Sequence, residues 1–277
     1  MCLKKFREEL EKSGLNEGTI IKYISDIKQF NNFIRKKEDK SIDKMTTEEI
    51  KKMFDSYIKH LEKDKYKPTT INGKIIIINK YLKFTGIGCR HNYLKVQKKM
   101  YIENVLTIGE YKRLLEQCDN RRDYIILKTL ANTGIRVSEL LSLTVQDIYK
   151  KQIYIKGKGG KYREIIVSSQ LRSMLIDYVE NYRLNTDKNQ LFTGKRGALK
   201  RDAINKIILK YAKRGHVKKA KAHPHSCRHF FGKRLAESGE SLDMIQNYLG
   251  HESIATTAIY TKRSKEELEK TLDKNFI

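Results

Sequence analysis

Ile20, Tyr23, Ile24, Ile27, Phe30 and Ile34 recur at the 3.6-residue period of an α-helix. Residues spaced this way share one side of a helix but alternate irregularly across a strand, so this stretch can bury its apolar side only as a helix. Asn16 stands where such a helix needs an N-cap. The same logic runs through the first hundred residues. Phe6 to Glu11 reads as a short helix ended by Ser13-Gly14. Thr46 and Thr47, followed by Glu49 and Ile50, read as a capped start, with Met53, Phe54, Tyr57, Ile58 and Leu61 as the buried stripe. Pro68-Thr69-Thr70 opens a further helix to about Phe84. Within it Ile75 to Ile78 also has a strand reading, which the segment length and the Pro-Thr start disfavour. The exposed faces are expected to carry Lys22, Lys28, Lys51, Lys52, Lys59, Lys74, Lys80 and Lys83. Singly these read as solvated side chains; as a set they suit non-specific phosphate contacts.

From Gly86 to about Asn104 the periodicity breaks, with a basic run from Lys95 to Lys99. A linker at 95–104 therefore separates a helical domain at 1–94 from a second domain at 105–277. In the second, Thr107-Ile108-Gly109-Glu110 caps a helix, another spans about Arg121 to Asn132, and a third begins at Ile135. Ile153 to Ile155 and Ile165 to Val167 flank Gly157-Lys158-Gly159-Gly160-Lys161, which reads as a β-hairpin. Helical patterns resume at Leu171 to Tyr182, Arg201 to Ala212, His229 to Glu237 and Leu242 to Leu249. A last helix, Lys265 to Phe276, places Leu268, Leu272 and Phe276 on one side. The expected class is mainly α with a small β-hairpin or sheet.

Lys and Arg total 58 against 33 Asp and Glu, a formal net charge of +25. An excess of that size favours a polyanionic partner, either nucleic acid or an anionic membrane surface. Abundant Ile, Asn and Lys with no Trp also look like AT-biased coding, which tempers the charge argument without removing it. Cys2, Cys89, Cys118 and Cys227 are scattered with no C-x-x-C pair, so reduced thiols in a cytosolic protein are the simplest account. The first residues lack an apolar run of signal-peptide length, and no stretch approaches transmembrane length. The expectation is a soluble, cytoplasmic protein with no membrane partner.

The chemistry concentrates in His223-Pro224-His225-Ser226-Cys227-Arg228-His229. Its histidines and cysteine invite a metal reading, but a guanidinium at the centre of a cation site is unfavourable and no acidic residue is near. The glycine-rich turn is not a phosphate-binding P-loop, because Tyr162 follows Lys161 and a strand follows the turn. Lys158 at its tip is either an exposed loop lysine or one able to swing beside a phosphate. Arg136, just after Thr133-Gly134 at a helix start, either holds an anion or pairs with Glu139 three residues on.

The conjunction decides between these readings. Arg136 in Thr133-Gly134-Ile135-Arg136, Lys158 in the hairpin, His225 and Arg228 three apart, His251 in Leu249-Gly250-His251, and Tyr260 nine residues later follow one another in order. This resembles the tyrosine recombinases, or phage integrase family, most closely the two-domain Xer type, over nearly the whole chain. The resemblance implies an N-terminal four-helix core-binding (SAM-like) domain and an α-rich catalytic domain. It implies that Tyr260 is the nucleophile forming a 3′-phosphotyrosyl link, and that Arg136 and Arg228 bind the non-bridging oxygens. Lys158 would protonate the leaving 5′-oxygen, and His225 and His251 would hydrogen-bond the phosphate and assist proton movement. Double-stranded DNA, a dimer on each site, a tetramer at synapsis and accessory proteins are the implied partners, with no metal or ATP required. The last helix would dock on a neighbouring protomer or on its own domain. His223 is expected at the surface or behind the site, Cys227 as a small buried hydrophobe, and His229 in a structural role. Type IB topoisomerase-like relaxation and a non-catalytic basic DNA-binding protein are the competing readings.

Overall fold

The structure is a computed structural model that describes residues 2–97, 100–157 and 162–275. The chain divides into two compact units, Met1–Lys98 and Lys99–Ile277.

In the first unit α1 (Cys2–Lys12), α2 (Glu17–Glu38), α3 (Thr47–Lys63) and α4 (Pro68–Phe84) pack around two apolar clusters. The caps follow the sequence. The Asn16 side chain accepts from the Thr19 amide, and Thr46 and Glu49 form a reciprocal capping box. The Ile75 to Ile78 stretch lies inside α4, with Ile77 in one cluster and Ile75 and Ile78 in the other. Burial on two sides explains why it mimics a strand pattern. α1 starts four residues before the expected Phe6, and its added turn packs Leu3 against the cluster of Phe6, Leu10 and Ile20.

Lys74 is a correction. It is not on the exposed face but 5% exposed, with Nζ 2.5 Å from Asp26 Oδ1 and 2.6 Å from Gln29 Oε1. Position 74 falls on the same helical face as Ile71 and Ile78, and a buried ammonium is tolerated there because a carboxylate meets it.

In the second unit the order is α5 (Ile108–Glu116), α6 (Arg121–Thr133), α7 (Val137–Ser142), α8 (Val145–Tyr149), the hairpin β1 (Ile153–Lys156) and β2 (Tyr162–Ile165), and α9 (Ser169–Asn181). There follow β3 (Thr193–Gly194), β4 (Gly197–Ala198), α10 (Arg201–Arg214), α11 (Pro224–Glu237), α12 (Leu242–Leu249), α13 (Ile254–Thr257), a 3-10 turn at Ala258–Thr261, and α14 (Lys265–Asn275). The core gathers α6, whose Ile125, Ile126 and Leu130 are fully buried, with α9, α10 and α11.

Three boundaries differ from expectation. The second strand is Tyr162–Ile165, not Ile165 to Val167, because the antiparallel register pairs Ile153 with Ile165 and Lys156 with Tyr162. That register buries Ile153, Ile155 and Ile165 and leaves Ile166 exposed. α7 begins at Val137 rather than Ile135, since Gly134 turns left-handed (φ +60) and Arg136 is extended in the N-cap position. α11 begins at Pro224 rather than His229: Pro224 occupies the first turn, and the His223 side chain caps it by accepting from the Ser226 amide. The short β3–β4 ladder and α8 carry patterns too brief to read from sequence. Phe276 lies outside the described residues. No residue of α14 is buried, while Glu266 and Glu267 in its first turn pair with Lys221 and Lys233 of the same unit. Among the described residues no helix is long and apolar enough to cross a membrane.

Candidate active site

Two helix C-termini build the site. α6 ends at Gly134 and α12 at Gly250, both left-handed, so each helix turns its last carbonyls toward a cation. Arg228 of α11 sits between them, donating to the Gly134 oxygen at 2.7 Å and the Leu249 oxygen at 2.6 Å. Its side chain is 2% exposed. Burial and then the neighbouring Arg136 bring its pKa down to about 10, so at neutral pH it still carries its charge. Carbonyls hold this guanidinium in place without neutralising it. A buried cation left in that state is a binding site for an anion.

Arg136 lies beside it, donating to the Gly250 oxygen at 3.2 Å and to Glu139 Oε1 at 2.9 Å. The pairing with Glu139 is thus present, and Arg136 also lines the cleft. Glu139 is buried, and its other oxygen accepts from Arg163 of β2 at 3.0 Å. One carboxylate thus spaces two guanidiniums and ties the hairpin to α7.

His251 follows Gly250, its Nδ1 2.9 Å from Thr257 Oγ1. Desolvation, then Arg228 and Arg136, hold it down to about 4. His225 stands at the exposed edge of α11, where partial desolvation and then Arg228 lower its pKa. Tyr260, in the 3-10 turn after α13, is 1% exposed and packs with Ile245 and Leu249. Its ring stacks on His251 at 6.2 Å between centroids. Burial pushes its phenol up to about 12 against the opposing pull of Arg228 and Arg136, so it rests protonated. A cleft of about 480 Å³, lined by Arg136, Tyr162, Arg163, His251, Ser253 and Thr256, opens beside these groups.

Five of the six residues expected at the site, Arg136, His225, Arg228, His251 and Tyr260, are gathered here from three stretches of the chain, at 136, 225–228 and 251–260. Lys158 lies outside the described residues; Gly157, before it, lines the same cleft. Cys227 is fully buried, as expected of a small hydrophobe. His223, expected at the surface or behind the site, is half-buried as the cap of α11, and His229, expected in a structural role, has its Nδ1 3.2 Å from Tyr260 Oη. Gly232 was also missed, and the Tyr260 ring lies directly over it. The signal for both was the i, i+4, i+7 series of 225, 229 and 232, visible only once the helix starts at Pro224. Among the described residues no group of three or more His, Cys, Asp and Glu is arranged to hold a metal ion.

Both units have counterparts among known proteins. Residues 104–267 match the phage integrase family, and residues 2–80 match the phage integrase N-terminal SAM-like domain. The chain belongs to the phage integrase family. A tyrosine recombinase of Pseudothermotoga lettingae is 31% identical over 264 residues, covering 89% of this chain and 87% of that protein. Tyrosine recombinase XerA of Pyrococcus horikoshii is 32% identical, covering 79% of this chain and 78% of its own. In fold, the chain is similar to the XerH site-specific recombinase bound to palindromic difH substrate in a post-cleavage complex. The TM-score is 0.70 at 21% identity, over 98% of this chain and 83% of that one.

Proposed function

We propose that this chain is a site-specific DNA recombinase that cleaves and rejoins double-stranded DNA through a covalent 3′-phosphotyrosyl intermediate. The observation that carries the reading is Arg228, a buried guanidinium that no carboxylate pairs among the described residues, set beside Arg136 and the buried phenol of Tyr260. Tyr260 Oη bonds phosphorus and gives up its proton, which neutral His225 at the open edge relays to solvent, as the bond from phosphorus to the 5′-oxygen breaks and that oxygen leaves as a 5′-hydroxyl. Arg136 and Arg228 take the non-bridging oxygens and the charge that grows on them in the transition state, where a preorganised donor is worth about 3 kcal/mol. With Thr257 donating to His251 Nδ1, Nε2 carries the ring hydrogen and donates to the phosphate. His225 donates from the open edge, and Lys158 protonates the leaving oxygen.

The phosphotyrosine diester keeps the energy of the broken bond, so rejoining by the reverse attack needs no ATP. The paired guanidiniums supply the positive charge for which other phosphoryl-transfer sites use a divalent metal, so none is required. The chain acts as a dimer on each site and a tetramer when two sites meet, in the cytoplasm. The recombinases it resembles over most of its length favour strand exchange between two sites over relaxation of any supercoiled DNA.

The test is a nicked DNA site that traps the cleaved strand. Wild-type protein is expected to form an adduct that survives denaturing electrophoresis with EDTA present, and Tyr260→Phe none. An adduct from Tyr260→Phe at the wild-type level would overturn the assignment.

A further inference from the structure

Tyr260 makes two contacts that none of these roles uses, and both come from α11. Its ring lies on Gly232, where an added methyl group would stand 2.7 Å from Cζ. Among the described residues its hydroxyl has one hydrogen-bond partner, Nδ1 of His229, at 3.2 Å. The His229 ring is itself confined, edge-on to His225 at 4.3 Å between centroids and tilted against Tyr260 at 5.7 Å. Rotation about the phenol C–O bond swings the hydrogen and the lone pairs of Oη unless the hydrogen is committed to an acceptor.

We propose, resting on the reading of Tyr260 as nucleophile, that His229 is a positioning residue for strand cleavage, its Nδ1 accepting the hydrogen of the Tyr260 hydroxyl so that Oη is fixed before DNA arrives. The hydroxyl has one hydrogen and two lone pairs. Committing the hydrogen to Nδ1 leaves the lone pairs for phosphorus. His229 Nδ1 is then the unprotonated nitrogen, and Nε2 carries the ring hydrogen.

Charge supports acceptance and argues against proton transfer. Burial first, then His225, His223, Arg228 and His251, hold His229 down to about 3, so it is neutral at neutral pH. Against a phenol pushed up to about 12, transfer to an imidazole held down to about 3 runs steeply uphill. His229 therefore aims the hydroxyl and does not take its proton. The bond at 3.2 Å is long for an O–H donor and has room to tighten when phosphate enters.

The experiment measures single-turnover adduct formation and, separately, DNA affinity and melting temperature for His229→Leu, His229→Asn and His229→Gln. Asn places its carbonyl oxygen where Nδ1 sits; Gln places it where Nε2 sits. We expect His229→Leu and His229→Gln to slow cleavage about 100-fold with affinity unchanged, the effect of a misaimed reacting group. His229→Asn is expected to recover to within about tenfold of wild type. Wild-type cleavage by His229→Leu would overturn the proposal, as would equal rates for Asn and Gln. Should the Leu variant fail to fold, the Asn and Gln pair still decides. Absence of an adduct from the wild-type protein would instead overturn the reading of Tyr260 itself.

Discussion

The guanidinium of Arg228 donates to the carbonyl oxygen of Gly134 at 2.7 Å, which makes a helix terminus part of the candidate site. The carbonyl is available because Gly134 is left-handed (φ +60), ending α6 one residue after Thr133. A β-carbon at this position would meet Phe231 Cδ1 and, at 2.8 Å, Leu249 Cδ2. Backbone strain and overpacking therefore act together. Gly134→Ala is expected to lower the unfolding free energy by about 2–4 kcal/mol and to displace the carbonyl that holds Arg228. Urea unfolding measures the first effect and adduct formation the second. A variant as stable as wild type would show that the turn can relax without cost.

Stability should fall between about pH 6.5 and pH 4, and the sign follows from the histidines. His251 is held down to about 4 and His229 to about 3, chiefly by burial, against an ordinary value of 6.5. Between the folded and unfolded values the unfolded chain binds more protons, so unfolding gains as pH falls. The stability of the neutral rings is fully present above 6.5 and is lost as pH drops toward their folded values. The window from 6.5 to 5 lies above most carboxylate titrations and isolates the histidines. Urea midpoints across it should decline for wild type and decline less for His229→Asn. Parallel declines would mean that His229 is not the buried neutral ring described.

Much of this was legible in the sequence, for reasons that particular residues make plain. The resemblance to the tyrosine recombinases, and no local pattern, singled out Arg136, His225, Arg228, His251 and Tyr260, while Gly134 and Gly250 mark the helix ends beside Arg136 and His251. His229 and Gly232 were not legible. Their contacts with Tyr260 depend on how the turn Ala258–Thr261 crosses α11, about thirty residues later, and no local pattern encodes a crossing. Lys74 misled in a similar way. Its amphipathic position allowed either face, and only Asp26, 48 residues away in the chain, decides that it is buried. The carboxylate of Glu139 was visible as a partner for Arg136, but its second contact, with Arg163, depends on the register of the hairpin.

Gly232 offers a second way to disturb Tyr260, the proposed nucleophile. It lies in the interior of α11, one turn beyond Arg228, where glycine is unfavourable to the helix by about 1 kcal/mol relative to alanine. The cost is offset by space: a methyl group here would stand 2.7 to 2.9 Å from Cζ, Cε2 and Cε1 of Tyr260. These atoms are the far end of a side chain, so the ring can give way, and giving way lifts the hydroxyl from His229. Gly232→Ala should therefore keep or slightly raise helix stability while slowing adduct formation about tenfold or more, because a small displacement of a reacting group is costly. DNA affinity should not change, since Gly232 is buried beneath the tyrosine. Single-turnover cleavage set against melting temperature measures both. A variant that cleaves at the wild-type rate would show that the close approach of ring to helix has no part in aiming Oη.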